Sequence, residues 1–140
     1  MCSSDLTELD EIVCRIPPER FPIILGHQIV GRVEKKGREV ISFQIDDRVG
    51  IGWINRACGG CSFCRRGNEN LCRGFKATGR DVDGGYAEYT TVPGDFAYPI
   101  PEVFADGEAA PLLCTRAIGY RSLRLTGIKE IGRASCRERV

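Results

Sequence analysis

The sequence predicts a mainly β domain with α-helix at its C-terminal end. Short β-forming stretches alternate with turn residues up to about residue 100, and the 17 glycines fit such a turn-rich chain. After residue 104 the apolar residues change to helical spacing. The 42% hydrophobic and 28% charged content is that of an ordinary globular protein, so 140 residues predict a single domain of ordinary size.

Three stretches predict strands. Residues 22–37 (PIILGHQIVGRVEKKG) have a strand-like pattern with the β-formers Ile29, Val30 and Val33, and Lys35–Gly37 predicts a hairpin tip. Residues 46–53 (DDRVGIGW) predict another strand. Residues 84–93 (GGYAEYTTVP) alternate their side chains as a strand does. Further along, Asp106 is a candidate N-cap of a helix that Pro111 and Gly119 would interrupt.

Composition excludes several classes of function. A net charge of +1 with 11 aromatic residues gives no nucleic-acid footprint. No apolar run reaches the roughly 20 residues that a membrane span needs, and no secretory signal opens the chain. We therefore expect a cytoplasmic protein whose cysteines bind metal rather than form disulfides.

The last 11 residues, EIGRASCRERV, show no periodic apolar pattern. They resemble the translation of a high-throughput sequencing adapter, and the alternative interpretation is a short basic tail. We interpret residues 130–140 as adapter-derived and leave them out of fold reasoning.

The densest chemical signal is CGGCSFCRRGNENLC, which holds Cys58, Cys61, Cys64 and Cys72 in the spacing C-x2-C-x2-C-x7-C. Zinc suits four thiolates because it accepts a tetrahedron of soft ligands. An iron–sulfur cluster and reduced, unliganded thiols remain alternatives, although ferredoxin-type runs continue with x3-C-P, which is absent here. Four thiolates would leave zinc no open position, so this site is predicted to be structural and any chemistry must lie elsewhere.

Several motifs, in order along the chain, resemble the zinc-dependent alcohol dehydrogenases of the medium-chain dehydrogenase/reductase family. They are CSSDL (2–6), GHQIVGRVEKKG (26–37), WINRACGGCSFCRRGNENLC (53–72), GGYAEYTTVP (84–93) and EAAPLLCTRAIGYRSL (108–123). The resemblance implies a partial GroES-like catalytic domain over residues 1–113, with a structural-zinc lobe at 56–74. Residues 114–129 would then be a helical link towards a cofactor domain.

The resemblance also implies a second, catalytic zinc held by Cys2, His27 and Cys114, which makes two Zn2+ per chain. Two thiolates and a neutral imidazole bring Zn2+ to zero net charge and leave one position open for water or an alcohol. Zinc would lower the pKa of that alcohol, which then passes a hydride to NAD or NADP and becomes an aldehyde or ketone.

Three further roles follow from the same resemblance. Asp5 would fix the tautomer of His27, Ser4 would relay the alcohol proton, and Trp53 would wall the substrate pocket. The alternatives are a turn residue for Asp5, an exposed serine for Ser4 and a core tryptophan for Trp53.

The chain departs from the family pattern at three positions. Gln28 stands where many members have Glu, Thr7 where many have the last histidine of the proton relay, and Ser3 where some have arginine near the cofactor. Gln28 can donate and accept hydrogen bonds but cannot act as an anionic ligand. Cys14 matches no family ligand and is interpreted as an incidental thiol.

The sequence contains no G-x-G-x-x-G loop, so the nicotinamide-binding Rossmann domain of the family is expected to be missing, as are the family's first strands. We expect an oxidoreductase fragment that binds zinc without turnover, from a homo-oligomeric parent acting on a small alcohol or aldehyde. The competing hypothesis is a non-enzymatic structural zinc-binding module.

Overall fold

The structure, a computed structural model, describes residues 21–127. Five short strands precede the helices: β1 (Ile29–Arg32), β2 (Arg48–Ile51), β3 (Ile54–Arg56), β4 (Lys76–Ala77) and β5 (Ala97–Pro99). The helices are α1 (Asp106–Ala109) and α2 (Thr115–Leu125), with a 3-10 turn (Ala110–Leu113) between them. This order confirms the prediction of a β-rich region followed by helix.

The larger sheet is antiparallel and has the strand order β1-β2-β5. Ile29 pairs with Ile51, and Val49 pairs with Pro99, so β2 is the central strand. Each of the first two predicted stretches therefore contains a paired strand, although β1 and β2 are shorter than those stretches. The turn between them lies at residues 37–40, at the end of the predicted tip, where the Val40 amide donates to the Gly37 carbonyl at 3.1 Å.

The core is small and lies on both faces of β2. Val49 and Ile51 are buried on one face, where they line a groove of about 900 Å³ together with Phe43. On the other face Gly50 lies directly beneath Leu113. A strand buried on both faces needs apolar or small residues throughout, which explains the composition of VGIG.

The predicted strand at 84–93 is wrong, because no residue of that stretch is in a strand. Its backbone hydrogen bonds to residues 24–26 occur only at its start, through the amides of Gly84, Gly85 and Tyr86. Tyr86 and Tyr89 are each 70% exposed. Alternating side chains do not suffice for a strand, because a strand also requires hydrogen bonds to a neighbouring backbone. Within residues 21–127, no backbone pairs with this stretch beyond Tyr86.

The helical start also differs from expectation. Asp106 is the first helical residue rather than the N-cap, and its carboxylate accepts hydrogen bonds from Arg48 instead of capping. The Glu108 carboxylate caps the start of α1 instead, because it accepts a hydrogen bond from the Ala105 backbone amide at 3.0 Å. The predicted interruption near Pro111 is confirmed as a 3-10 turn, whereas α2 continues through Gly119.

Within residues 21–127, no helix has the length and apolar character that a membrane crossing requires. Both described sheets are antiparallel, the second being β3 paired with β4. The parallel sheet of a dinucleotide-binding domain is therefore not part of the described region.

Candidate metal centres

The four clustered cysteines converge on one point in space. The sulfur atoms of Cys58, Cys61, Cys64 and Cys72 all lie within 4.8 Å of one another. Cys58 Sγ is 3.9 Å from Cys64 Sγ, and Cys61 Sγ is 3.5 Å from Cys64 Sγ. A tetrahedral zinc with bonds of about 2.3 Å would separate its sulfur ligands by roughly 3.8 Å. The cluster therefore fits a single metal ion of this kind.

Local structure explains how a loop achieves this geometry. The short pairing of β3 with β4 closes the base of the loop, and two 3-10 turns (Cys64–Arg66 and Glu69–Leu71) fold it back on itself. Backbone amides then point at the sulfurs: those of Cys58 and Gly74 both donate to Cys72 Sγ, at 3.4 and 3.3 Å. Such donors favour the thiolate form that binds metal.

The thiols differ in acidity. The Cys64 amide donates to Cys61 Sγ at 3.5 Å, and this hydrogen bond is the main reason why the pKa of Cys61 falls to about 6. The Cys58 amide likewise lowers the pKa of Cys72. Burial is the main cause that raises the pKa of Cys64 to about 12, and the neighbouring Cys61 sulfur adds to it. The pKa values of Cys61 and Cys64, two neighbouring thiols of the cluster, are thus shifted in opposite directions.

A second pair of potential ligands meets outside this loop. His27 is 8% exposed, and its Nε2 atom lies 3.3 Å from Cys114 Sγ. Zinc–nitrogen and zinc–sulfur bonds of about 2.0 and 2.3 Å at a tetrahedral angle would place these atoms roughly 3.5 Å apart. His27 and Cys114 therefore also fit as two ligands of one ion.

Tight backbone packing fixes the position of His27. The preceding Gly26 has φ +96°, a conformation that residues with a Cβ rarely adopt. The chain at Gly84 crosses so close that a Cβ there would lie 2.1 Å from the Gly26 carbonyl oxygen. The Gly85 amide donates to that same oxygen at 3.0 Å. The glycines on both sides of this crossing hold the histidine just before the start of β1.

Cys114 lies in the break between two helical segments. Its backbone is non-helical, with φ −139° and ψ −78°, between the 3-10 turn and α2. Beside the His27–Cys114 contact, Gln28 Nε2 donates to Thr115 Oγ1 at 3.3 Å. Gln28 and Thr115, which follow His27 and Cys114, thus form a second contact between the same two segments. Gln28 therefore acts as a hydrogen-bond donor at this position.

Trp53, which the resemblance assigns to the substrate pocket, lies beside His27. Its ring meets the His27 ring edge-on, with centroids 4.9 Å apart and planes at 78°. The guanidinium of Arg80 lies 5.4 Å from the Trp53 ring centre and 5.7 Å from that of Phe75, and it pairs with Asp81 at 2.7 Å. Sequence reasoning missed Arg80, because no motif or spacing marks a cation that contacts two aromatic rings.

Three proposed site residues, Cys2, Ser4 and Asp5, lie outside the described residues, as do Ser3, Thr7 and Cys14. His27, Cys114 and Trp53 are brought together, and the four-cysteine loop forms a separate cluster. The roles assigned to all of these residues remain proposals.

Comparison with known proteins identifies the family. The alcohol dehydrogenase GroES-like domain family matches residues 1–102. A protein named "Probable alcohol dehydrogenase AdhA" from Mycobacterium tuberculosis (strain CDC 1551 / Oshkosh) is 47% identical over 140 residues, covering 95% of this chain and 39% of that relative. The chain therefore spans about two fifths of the length of this curated relative.

Solved structures agree. A cinnamyl alcohol dehydrogenase from Sorghum bicolor superposes with a TM-score of 0.80 at 29% identity, over 95% of this chain and 39% of that one. An NAD-dependent alcohol dehydrogenase gives a TM-score of 0.67 at 33% identity, over 71% of this chain and 29% of that one. By sequence and by fold, the chain belongs to the alcohol dehydrogenase GroES-like domain family, a family of oxidoreductase catalytic domains.

Proposed function

We propose that this chain is the zinc-binding catalytic domain, over residues 1–113, of an enzyme that transfers hydride between an alcohol and NAD or NADP. The observation that carries the proposal is the approach of His27 Nε2 to Cys114 Sγ beside the Trp53 ring. Nitrogen and sulfur donors next to an aromatic wall suit a metal site that also receives a small organic substrate.

The four-cysteine loop would hold a structural zinc. Four sulfur ligands saturate a tetrahedral ion, so this site would brace the loop without meeting substrate. Arg65 and Arg66 donate to the Gly60 and Ser62 carbonyls, at 2.8 and 2.9 Å, which places two positive charges on the same loop. They would partly offset the formal charge of −2 on the site.

The second centre would use His27, Cys114 and Cys2 as ligands and keep one position open. A zinc bound there supplies Lewis-acid chemistry, which lowers the pKa of a substrate hydroxyl. His27 must present an unprotonated Nε2 towards this centre, so its Nδ1 carries the proton. Asp5 is our candidate acceptor for that proton, and Ser4 our candidate relay for the proton that leaves the alcohol.

Trp53 would decide which substrates fit. Its ring contacts both the His27 ring and the guanidinium of Arg80, and these two contacts restrict its rotation. We expect this fixed wall to favour small alcohols and aldehydes. Cytoplasmic location and a homo-oligomeric parent remain predictions.

Zinc content separates this proposal from a non-enzymatic zinc module. The 140-residue chain, purified without chelators, should carry two zinc ions by native mass spectrometry, and Cys114→Ser should carry one. A single zinc in the unmodified chain would contradict a second centre and favour the structural module. Visible absorbance with bound iron would instead indicate an iron–sulfur protein.

We expect no turnover from the 140 residues alone, because the sequence has no glycine-rich dinucleotide loop. Saturable NAD-dependent oxidation of an alcohol by this chain would contradict that expectation. The zinc count would be unaffected by such a result, so the two parts of the proposal are tested separately.

A further inference from the structure

One face of β2 points at the segment that ends in Cys114. Side chains alternate along a strand, so Arg48, Gly50 and Gly52 share a face, with Gly52 immediately beyond the end of the strand. All three contact residues between 100 and 113. We refer to Arg48, Gly50 and Gly52 as the β2 seat.

The two glycines of the seat lie in direct contact with Leu113, the residue before Cys114. A Cβ at Gly50 would come within 2.7 Å of the Leu113 side chain and 2.8 Å of Ile100 Cδ1. A Cβ at Gly52 would lie 3.0 Å from the Leu113 carbonyl oxygen. That carbonyl belongs to the peptide that joins Leu113 to Cys114, so Gly52 sets how closely the Cys114 backbone approaches the strand.

Arg48 fixes the other end of the same segment. Its side chain is only 6% exposed, yet Nε and Nη2 both donate to Asp106 Oδ1, at 3.1 and 2.5 Å. Nη1 donates to the Pro101 carbonyl at 2.9 Å. A buried guanidinium requires partners for its donors, so this clamp holds the chain on both sides of residues 102–105 against β2.

We propose that the β2 seat consists of positioning residues that set the distance of Cys114 Sγ from His27 Nε2, and thereby the zinc affinity of the second centre. This inference rests on the proposed function. A methyl group at position 52 would push the Leu113 carbonyl outward by a few tenths of an ångström, since ordinary carbon–oxygen contacts exceed the 3.0 Å available. Metal–ligand distances tolerate only about 0.2 Å, so the shift would weaken binding.

The first test is Gly52→Ala, with Gly31→Ala as its matched control. Both are glycines of the same sheet region, but a Cβ at Gly31 meets nothing within 4 Å. Chelator competition on the 140-residue chain would give the zinc affinity of the second centre. We expect Gly52→Ala to weaken it about 10- to 100-fold, as loss of a ligand-orienting contact does in other zinc sites. Gly31→Ala and the zinc of the four-cysteine loop should be unchanged.

The second test weakens the clamp without adding an atom to the interface. Asp106→Asn removes the negative charge that faces the buried Arg48 guanidinium but keeps an oxygen that can accept its hydrogen bonds, and Asp106 itself is 77% exposed, so we expect the fold to be retained. We expect the second zinc to bind more weakly, by about threefold or more. The control is Glu102→Gln, which alters the exposed pair of Glu102 with Arg32 (3.6 Å) and should leave zinc affinity unchanged.

The outcomes are distinct. If the unmodified chain binds two zinc ions and Gly52→Ala holds the second as tightly as Gly31→Ala, the inference is overturned while the proposed function stands. If Gly52→Ala also loses the zinc of the four-cysteine loop, the substitution has disturbed the fold. The result for Asp106→Asn then decides, and an unchanged affinity of the second centre for zinc in that variant overturns the inference. If the unmodified chain binds only one zinc, the proposed function itself fails.

Discussion

His27 Nε2 lies 3.3 Å from Cys114 Sγ, although 87 positions separate the two residues along the chain. The same segments are joined again by Gln28 and Thr115, the next residue on each side. Two parallel links between distant segments restrain both distance and rotation. His27 and Cys114 are therefore held together by their own contact and by that of the residues that follow them, the kind of restraint that a preorganised site requires.

Trp53, the only tryptophan of the chain, should report metal binding at this centre. Its ring centre is 4.9 Å from that of His27, so Co2+ bound by His27 should quench its fluorescence strongly. Titrating the metal-stripped chain with Co2+ and recording emission measures this directly. In Cys114→Ser, where only the four-cysteine loop would bind Co2+ with high affinity, most of the quenching should be lost. Equal quenching in both proteins would contradict a centre beside Trp53.

Removing one thiol of the four-cysteine loop should lower both its zinc affinity and the thermal stability of the chain. Cys72 is buried and accepts hydrogen bonds from the Cys58 and Gly74 amides, so it ties the two ends of the loop together. Cys72→Ser should lose the structural zinc and lower the thermal midpoint of unfolding, because metal binding stabilises the folded loop. Cys14→Ser is the control for loss of a thiol and should keep both zinc ions. A Cys72→Ser chain with an unchanged midpoint would show that the loop is not stabilised by metal.

The acidities of Cys61 and Cys64 predict different alkylation profiles in the metal-stripped chain. With its pKa lowered to about 6, Cys61 is mostly thiolate at pH 7 and should lose reactivity only as the pH falls through about 6. With its pKa raised to about 12, Cys64 stays protonated through pH 9 and should react only above that. Iodoacetamide labelling followed by peptide mass spectrometry gives both profiles. Because exposure alone would shift rates but not midpoints, coincident midpoints would contradict the assignment.

The crossing of the chain over Gly26 should be intolerant of any side chain. Gly84→Ala would place a methyl group 2.1 Å from the Gly26 carbonyl oxygen, and we expect a loss of about 1–3 kcal/mol or more in the free energy of unfolding. Gly31→Ala, where the added methyl meets nothing, should be neutral or stabilise by about 0.5–1 kcal/mol. Denaturant unfolding measures both. Equal stabilities would mean that the backbone can move apart at the crossing.

The positively charged guanidinium of Arg80 should restrain the Trp53 ring through their cation–π contact. Arg80→Leu keeps much of the side-chain bulk but removes the charge that lies over the Trp53 and Phe75 rings. We expect the free energy of unfolding to fall by about 1–2 kcal/mol, with greater mobility of Trp53 seen as lower fluorescence anisotropy. Arg38→Leu is the control on the turn at residues 37–40. Unchanged anisotropy in Arg80→Leu would show that His27 and the backbone hold the ring without it.

Much of the architecture could be predicted from residue patterns. The β-formers around Val30 and Val49 gave two of the paired strands, and the change to helical spacing beyond residue 104 gave the helical end. The prediction at 84–93 failed because its alternation matched a strand, whereas no backbone among residues 21–127 pairs with it beyond Tyr86. Asp106 failed as a cap because Arg48, 58 positions away, competes for its carboxylate.

The sequence by itself determined the four-cysteine cluster, because its members lie within 15 consecutive residues and a short loop can bring them together whatever surrounds it. The tertiary structure decided how His27 meets Cys114. The contact depends on the close backbone crossing at Gly26 and on the absence of side chains at Gly50 and Gly52. It also depends on the buried guanidinium of Arg48. The spacing of residues in the sequence predicts none of these features. Residues far apart in the chain, such as His27 and Cys114, become neighbours only through the close packing of the segments that carry them.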